Sequence, residues 1–231
     1  TSSGTVGSEQ QFSGNTVYSL AMEFNPSVGS AVLLWRYGNT TKVTTAKSNM
    51  TSGSHAPVVA TETSLNSNTK ATHGMVYDPK NGTMLVSYVE DNNNMYLNQI
   101  THTQDAITAV TPSWVVHTGT TAYHALAYDT KNDKVVATYT DLSNSEKPLV
   151  RTGVISGSSM TWSNEVSIDN TTNYGMTAAV YNPDLEKTQY FGKEGTGDDM
   201  QFHEIDSSGT HPTVTSAVEV SSDSDNNYTS V

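Results

Sequence analysis

The sequence predicts an all-β fold of four-stranded antiparallel sheets, repeated in units of about 50 residues and arranged like propeller blades. Three observations carry this. An aromatic–Asx pair recurs at Phe24-Asn25, Tyr77-Asp78, Tyr128-Asp129 and Tyr181-Asn182, with spacings of 77 − 24 = 53, 128 − 77 = 51 and 181 − 128 = 53 residues. Each pair is followed by turn-forming residues and then by a short apolar run. No segment carries a sustained 3.6-residue apolar period with helix caps.

Within each unit the first strand leads into the aromatic–Asx pair: Tyr18 to Phe24, Gly74 to Tyr77, His124 to Tyr128 and Met176 to Tyr181. A turn follows, because Asn or Asp bonds its own backbone two residues on and Pro presets φ. Asn81-Gly82 reads as the left-handed pair of a primed hairpin turn, with Asn132-Asp133 and Ser27-Val28-Gly29 at comparable places. The second strand alternates as Ala31, Leu33, Trp35; Met84, Val86, Tyr88; and Val135, Ala137, Tyr139. Its intervening residues (Val32, Leu34, Leu85, Val136) are apolar too, so it is buried on both faces between neighbouring sheets. The fourth copy departs from this, with Thr188, Tyr190 and Gly192.

Polar loops then lead to third strands at Val43 to Ala46, Met95 to Ile100, Leu149 to Val154 and Met200 to Ile205. Weaker fourth strands at Pro57 to Ala60, Trp114 to Val116, Trp162 to Ile168 and Ala217 to Val220 suit a solvent-facing edge. The chain is thus one repeat-built β domain, 1–231, with units at 17–69, 70–119, 120–170 and 171–222. Residues 1–16 read as the last strand of a preceding unit and 223–231 as the opening of a further one. The expectation is a fragment of a longer array.

Composition narrows the function. The chain has a net charge of −12, no cysteine and 15% charged residues. An acidic, sparsely charged surface argues against nucleic acid and against anionic membranes. Without cysteine there is no disulfide, thiolate metal site or thiol nucleophile. No apolar run reaches the roughly 20 residues of a membrane helix.

The stretch Tyr128-Asp129-Thr130-Lys131-Asn132-Asp133-Lys134-Val135-Val136-Ala137-Thr138-Tyr139-Thr140-Asp141 resembles a repeat of marine bacteriophage proteins. In those repeats an aromatic–Asp pair precedes Lys-Val-Val and then Tyr-x-Asp. The copy at Tyr77 keeps Tyr88 and Asp91, and the copies at Phe24 and Tyr181 match only the opening. The resemblance implies a propeller-like module in a virion-associated or extracellular protein such as a fibre or appendage.

Candidate chemistry is sparse. The acidic pairs Glu90-Asp91, Asp198-Asp199 and Asp223/Asp225 could serve a glycosidase, which needs two carboxylates across a cleft. Asp91 and Asp141 recur at similar loop positions, which favours a general surface role. Arg36 and Arg151 are the only arginines, too few for a sialidase-type cluster on a substrate carboxylate. His73 and His124 open equivalent first strands, where a hydrogen-bonded, partly buried role outweighs ligation. Asp/Asn-rich loops offer oxygen ligands for a structural calcium ion, without EF-hand spacing; no other cofactor or metal is expected. Trp114 and Trp162, on the weak outer strand, read as exposed platforms, whereas Trp35, Tyr88 and Tyr139 read as core.

The expected ligand-binding residues are therefore Asp91, Trp114, Asp141 and Trp162. The expected function is a non-enzymatic virion or extracellular module whose loops contact glycans or other virion and surface proteins, with oligomerisation open to it. The alternatives are a carbohydrate-active propeller enzyme and a purely structural self-assembling subunit.

Overall fold

The structure is a computed structural model and describes residues 16–47, 57–169, 174–194 and 199–221. The partial units expected at the two ends therefore lie almost wholly outside the described residues. The fold is all-β and propeller-like, built of four antiparallel sheets in sequence order.

The first sheet holds β1 (Tyr18–Asn25), β2 (Ser30–Tyr37), β3 (Thr40–Lys47), β4 (Val58–Val59) and β5 (Thr63–Asn66). The second holds β6 (Thr69–Asp78), β7 (Thr83–Glu90), β8 (Met95–His102), β9 (Ile107–Val110) and β10 (Trp114–His117). The third holds β11 (Thr121–Asp129), β12 (Lys134–Asp141), β13 (Lys147–Ser156), β14 (Ser159–Trp162) and β15 (Val166–Ser167). The fourth holds β16 (Tyr174–Asn182), β17 (Lys187–Glu194), β18 (Met200–Asp206), β19 (Thr213–Val214) and β20 (Val218–Ser221).

In every sheet three long strands pair in order, and the fourth, outer strand is broken into two short pieces on the third. The break has a repeated chemical form. Thr111, Ser163 and Thr215 each give their backbone N–H to a third-strand carbonyl: Gln99 at 2.9 Å, Thr152 at 2.8 Å and Glu204 at 3.0 Å. Their hydroxyls accept the N–H of that same third-strand residue at 2.8, 3.0 and 2.9 Å. A side-chain oxygen thus replaces one carbonyl of the ladder, and the buried backbone stays satisfied while the edge strand leaves the sheet.

The first hairpin of each sheet is closed by the Asx residue. Asp78 Oδ1 accepts the N–H of Lys80 at 3.0 Å and of Asn81 at 3.2 Å. Asp129 does the same for Lys131 and Asn132, at 2.9 and 3.0 Å. Asn25 accepts from Ser27 at 3.0 Å, and Asn182 from Asp184 and Leu185 at 3.0 and 3.2 Å. Because Asp78 pairs with Thr83, the loop is four residues long rather than a two-residue primed turn. Only its last residue is left-handed: Gly29 (φ 75°), Gly82 (65°), Asp133 (52°) and Glu186 (56°).

The inner strands β6 and β11 begin several residues earlier than periodicity indicates. Each of the four inner strands breaks register opposite the same second-strand position, that of Trp35, Tyr88, Tyr139 or Gly192. These bulges put an extra residue into the strand and hide its alternation. Ser19 (φ 53°) and Tyr123 (φ 44°) sit in them.

Core packing lies between sheets. Val32, Leu34 and Val43 pack with Met84, Val86 and Ile100. Leu85, Met95 and Leu97 pack with Val135, Ala137 and Tyr139, and Val136 and Val150 pack with Tyr190 and Ile205. The second strands β7 and β12 are buried on both faces because the second and third sheets are each covered on both sides, whereas β2 and β17 of the first and fourth sheets alternate buried with half-buried positions. Trp35, Tyr88 and Tyr139 are all 0% exposed.

Candidate functional site

The innermost strands β1, β6, β11 and β16 pack side by side in that order and converge on an axis. At the hairpin end of this axis lies a cavity of about 500 Å³. Met75, Val76, Leu126, Ala127, Ala179 and Val180 give it apolar walls, and Pro79, Thr130 and Pro183 of the hairpin loops rim it. Tyr77, Tyr128 and Tyr181 bring one aromatic ring each from three blades, and among the described residues Glu23 is its one carboxylate. Among the described residues no lysine, arginine or histidine lines it.

The tyrosines are fixed from behind. Each reaches the hairpin turn of the preceding blade. The Tyr77 hydroxyl meets Ser27 Oγ; Tyr128 hydrogen-bonds to Asp78; Tyr181 hydrogen-bonds to Asp129. Burial, and then the negative charge of Asp78, pushes the Tyr128 phenol far above its ordinary pKa. Burial also raises Tyr181, with Asp129 adding to it. Burial alone would push the Asp129 carboxyl up, but hydrogen bonds from Asn132, Ser207 and Tyr181 outweigh it and hold the pKa below the usual value. Asp78 and Asp129 therefore do two jobs: they cap their own turns and anchor the next blade's ring at the cavity wall.

A second polar cluster fills the seam between the second and third blades. His117 Nδ1 is 2.7 Å from Glu165 Oε1, which also accepts the Tyr139 hydroxyl at 2.9 Å. His117 Nε2 lies 3.7 Å from Asp141 Oδ1, and Arg151 Nη1 is 3.9 Å from Glu165. Burial, and then Glu165, raises the Tyr139 phenol. Asp141 is 6% exposed, and its Oδ1 accepts the Ser143 N–H at 2.9 Å. The cluster ties two blades together.

The four residues expected from sequence to bind ligand are not brought together. Asp91 is exposed in the β7–β8 loop, and its backbone N–H goes to Asn68 O at 2.7 Å. Asp141 is buried at the end of β12, and its register counterpart is Glu90 rather than Asp91. Trp114 and Trp162 are half-buried and pack against the core between the second and third blades, so neither is the exposed platform that its strand suggested. Trp114 Nε1 donates to Ser158 O at 3.2 Å, and Arg151 stacks on Trp162 at 5.7 Å from the ring centroid. None of the four lines the axial cavity.

Sequence reasoning missed Glu23 and the tyrosine set. The signal was present, since three of the four recurring aromatics carry a hydroxyl. Among the described residues no three His, Asp or Glu side chains gather as metal ligands. In the Glu90–Asn94 loop the side chains are engaged within the loop, Asn92 Nδ2 donating to Glu90 Oε2 at 3.3 Å and Asn92 Oδ1 accepting the backbone N–H of Asn94 at 2.9 Å. Most of the Asp198-Asp199 loop, and the Asp223/Asp225 pair, lie outside the described residues. His124 is buried on β11, and burial pushes its imidazole down to about 4.

No protein-family model matches the chain, and the search of curated proteins found no match. Solved structures do match its fold. An exo-β-1,3-galactanase from Phanerochaete chrysosporium, crystallised with β-1,3-galactotriose, is 13% identical with a TM-score of 0.56, over 87% of this chain and 49% of that one. An exo-β-1,3-galactanase from Clostridium thermocellum is 14% identical with a TM-score of 0.53, over 85% of this chain and 48% of that one. The NanB sialidase of Streptococcus pneumoniae is 11% identical with a TM-score of 0.54, over 88% of this chain and 30% of that one. The chain thus spans about half the length of the galactanases, or less for the sialidase.

These likenesses correct the expectation of a non-enzymatic virion module. That expectation rested on a strand-and-turn rhythm, which specifies a blade and not a use. The similar structures reported above are two exo-β-1,3-galactanases and a sialidase, and they favour the carbohydrate-active alternative over it. What this chain has in common with them is the propeller fold.

Proposed function

We propose that the chain is the propeller body of a carbohydrate-active enzyme that holds a neutral glycan in the axial cavity. The observation that carries the reading is the cavity's lining. Of the three lining tyrosines, Tyr77 and Tyr181 are half-buried and offer apolar ring surface for the C–H faces of a sugar, Tyr128 is 6% exposed, and the Glu23 carboxylate can accept hydrogen bonds from sugar hydroxyls. Among the described residues no cationic side chain lines the cavity, which disfavours sialic or uronic acids, whose carboxylates need a positive partner. The fold likeness to galactanases and to a xylan- and arabinose-active GH43 hydrolase supports the same class.

In this reading Glu23 supplies one of the two carboxylates that glycosidic hydrolysis requires. One carboxylate protonates the leaving oxygen, and the other attacks the sugar carbon or activates the water that does. The test is release of reducing sugar from a panel of galactans, arabinans and xylans. Release by the wild type, with Glu23→Gln slowing turnover by about 100-fold or more at an unchanged unfolding temperature, is the expected result. Absence of both release and binding for every glycan would overturn the proposal.

A further inference from the structure

A cleft of about 260 Å³ lies between the outer strands of the third blade and the β18–β19 loop of the fourth. It shares no residue with the axial cavity. Lys134 of β12 lines it beside Val154 and Thr161, which are register partners across β13 and β14. Asn164 of the third blade and Thr210 and His211 of the fourth complete the polar part of the lining.

The cleft carries charge of one sign. The chain has 11 lysines and arginines against 23 aspartates and glutamates, yet among the described residues no carboxylate lines the cleft. Lys134 Nζ donates to the main-chain carbonyls of Ser207 and Gly209, at 2.6 Å each. These bonds fix the ammonium across the blade seam, and they use two of its three donors. The carboxylates nearest in register and sequence are engaged elsewhere. Asp129, opposite Lys134 in the ladder, accepts from Lys131, Asn132 and Ser207. Glu165, next to Asn164, is bound to His117 and Tyr139. His211 Nδ1 accepts the Asn164 N–H at 3.2 Å, so the proton of its neutral ring sits on Nε2 as a second donor.

Size and the remaining groups narrow the ligand. A bare oxyanion fills little of this space, since a water molecule takes up roughly 30 Å³. The rest of the lining offers the hydroxyls of Thr161 and Thr210, the Asn164 amide and the side chain of Val154, which is 39% exposed. Those groups match sugar hydroxyls and ring C–H groups. The volume is below the roughly 300 Å³ at which pockets for drug-sized ligands begin, which suits one sugar unit. We propose that this cleft is a binding site for a single uronic-acid unit of a glycan, with its carboxylate on Lys134 and His211 Nε2–H. The site stands apart from the axial cavity and from any hydrolysis there.

NMR titration of the chain with methyl galacturonoside tests it. Saturable shifts are expected at the backbone amides of Thr161, Asn164 and His211, and methyl galactoside is expected to leave those three unmoved. Lys134→Gln removes a charge-assisted bond and should weaken binding about tenfold or more. Lys134 also ties two blades together, so Thr161→Phe provides a second variant that keeps both carbonyl bonds and fills the cleft. It is expected to abolish the saturable shifts at an unchanged unfolding temperature. Absence of saturable shifts at the three amides would overturn the proposal, as would undiminished binding by Thr161→Phe. Equal affinity for methyl galactoside would overturn it by removing the role of the carboxylate, and equal affinity for acetate by removing that of the sugar.

Discussion

Asp78 and Asp129 are 0% exposed, and each cap donors of its own turn while holding a tyrosine from the next blade. A buried carboxylate that loses one donor loses a charge-assisted bond, worth about 1.5–3 kcal/mol. Tyr128→Phe is accordingly expected to lower stability by that amount in urea unfolding, although it removes a single oxygen. A left-handed Glu186 stands where two other blades carry glycine. Its ion pair with Lys131 is half exposed and contributes little. Glu186→Gly should therefore raise the unfolding midpoint, by up to about 1 kcal/mol, since only the side chain's steric cost is removed. His124 supplies a pH dependence. Its folded pKa, about 4, lies below the unfolded value, so the unfolded chain binds the proton first. Its contribution is full above pH 6.5 and is lost as pH falls toward 4, by about 3 kcal/mol from the 2.5-unit difference. Urea midpoints between pH 7 and 4 should fall in the wild type and fall less in His124→Gln.

At the scale of the element, the strands of the hairpins were legible because alternation and turn chemistry act locally. Met84, Val86 and Tyr88 declare a strand, and Asn81-Gly82 declares a turn, without reference to the rest of the chain. Two features were not legible. The inner-strand bulges opposite Tyr88 and Tyr139 interrupt the period that would have revealed the first residues of β6 and β11. The broken outer strand depends on Thr111, Ser163 and Thr215, whose hydroxyls look like ordinary surface residues until the third strand lies beside them. Thr111→Val keeps the shape and removes the oxygen, leaving the N–H of Gln99 (9% exposed) without its partner. A loss of about 1–3 kcal/mol is expected, together with faster hydrogen exchange at Gln99 than at Leu97. Equal exchange would show that the hydroxyl does not close the ladder.

Across the whole molecule, periodicity identified the propeller, because four copies of one hairpin impose one architecture. It could not identify the site. A cavity on the axis is assembled from residues about 50 positions apart, with one ring from each of three blades, and the same positions read along the chain are simply recurring turn residues. Trp114 and Trp162 looked like platforms because their strand is weak, but the neighbouring blade covers them. Glu23 drew no notice, being a lone acid in an apolar strand, yet it faces Tyr77, Tyr128 and Tyr181 across the axis. If these four residues hold a neutral sugar, a crystal structure with a saturating neutral β-linked trisaccharide will show it. A sugar ring is expected in the axial cavity, stacked on at least one of the three tyrosines, with a hydroxyl on the Glu23 carboxylate. A trisaccharide bound only on the outer rim, or an axial cavity holding nothing but water, would contradict it.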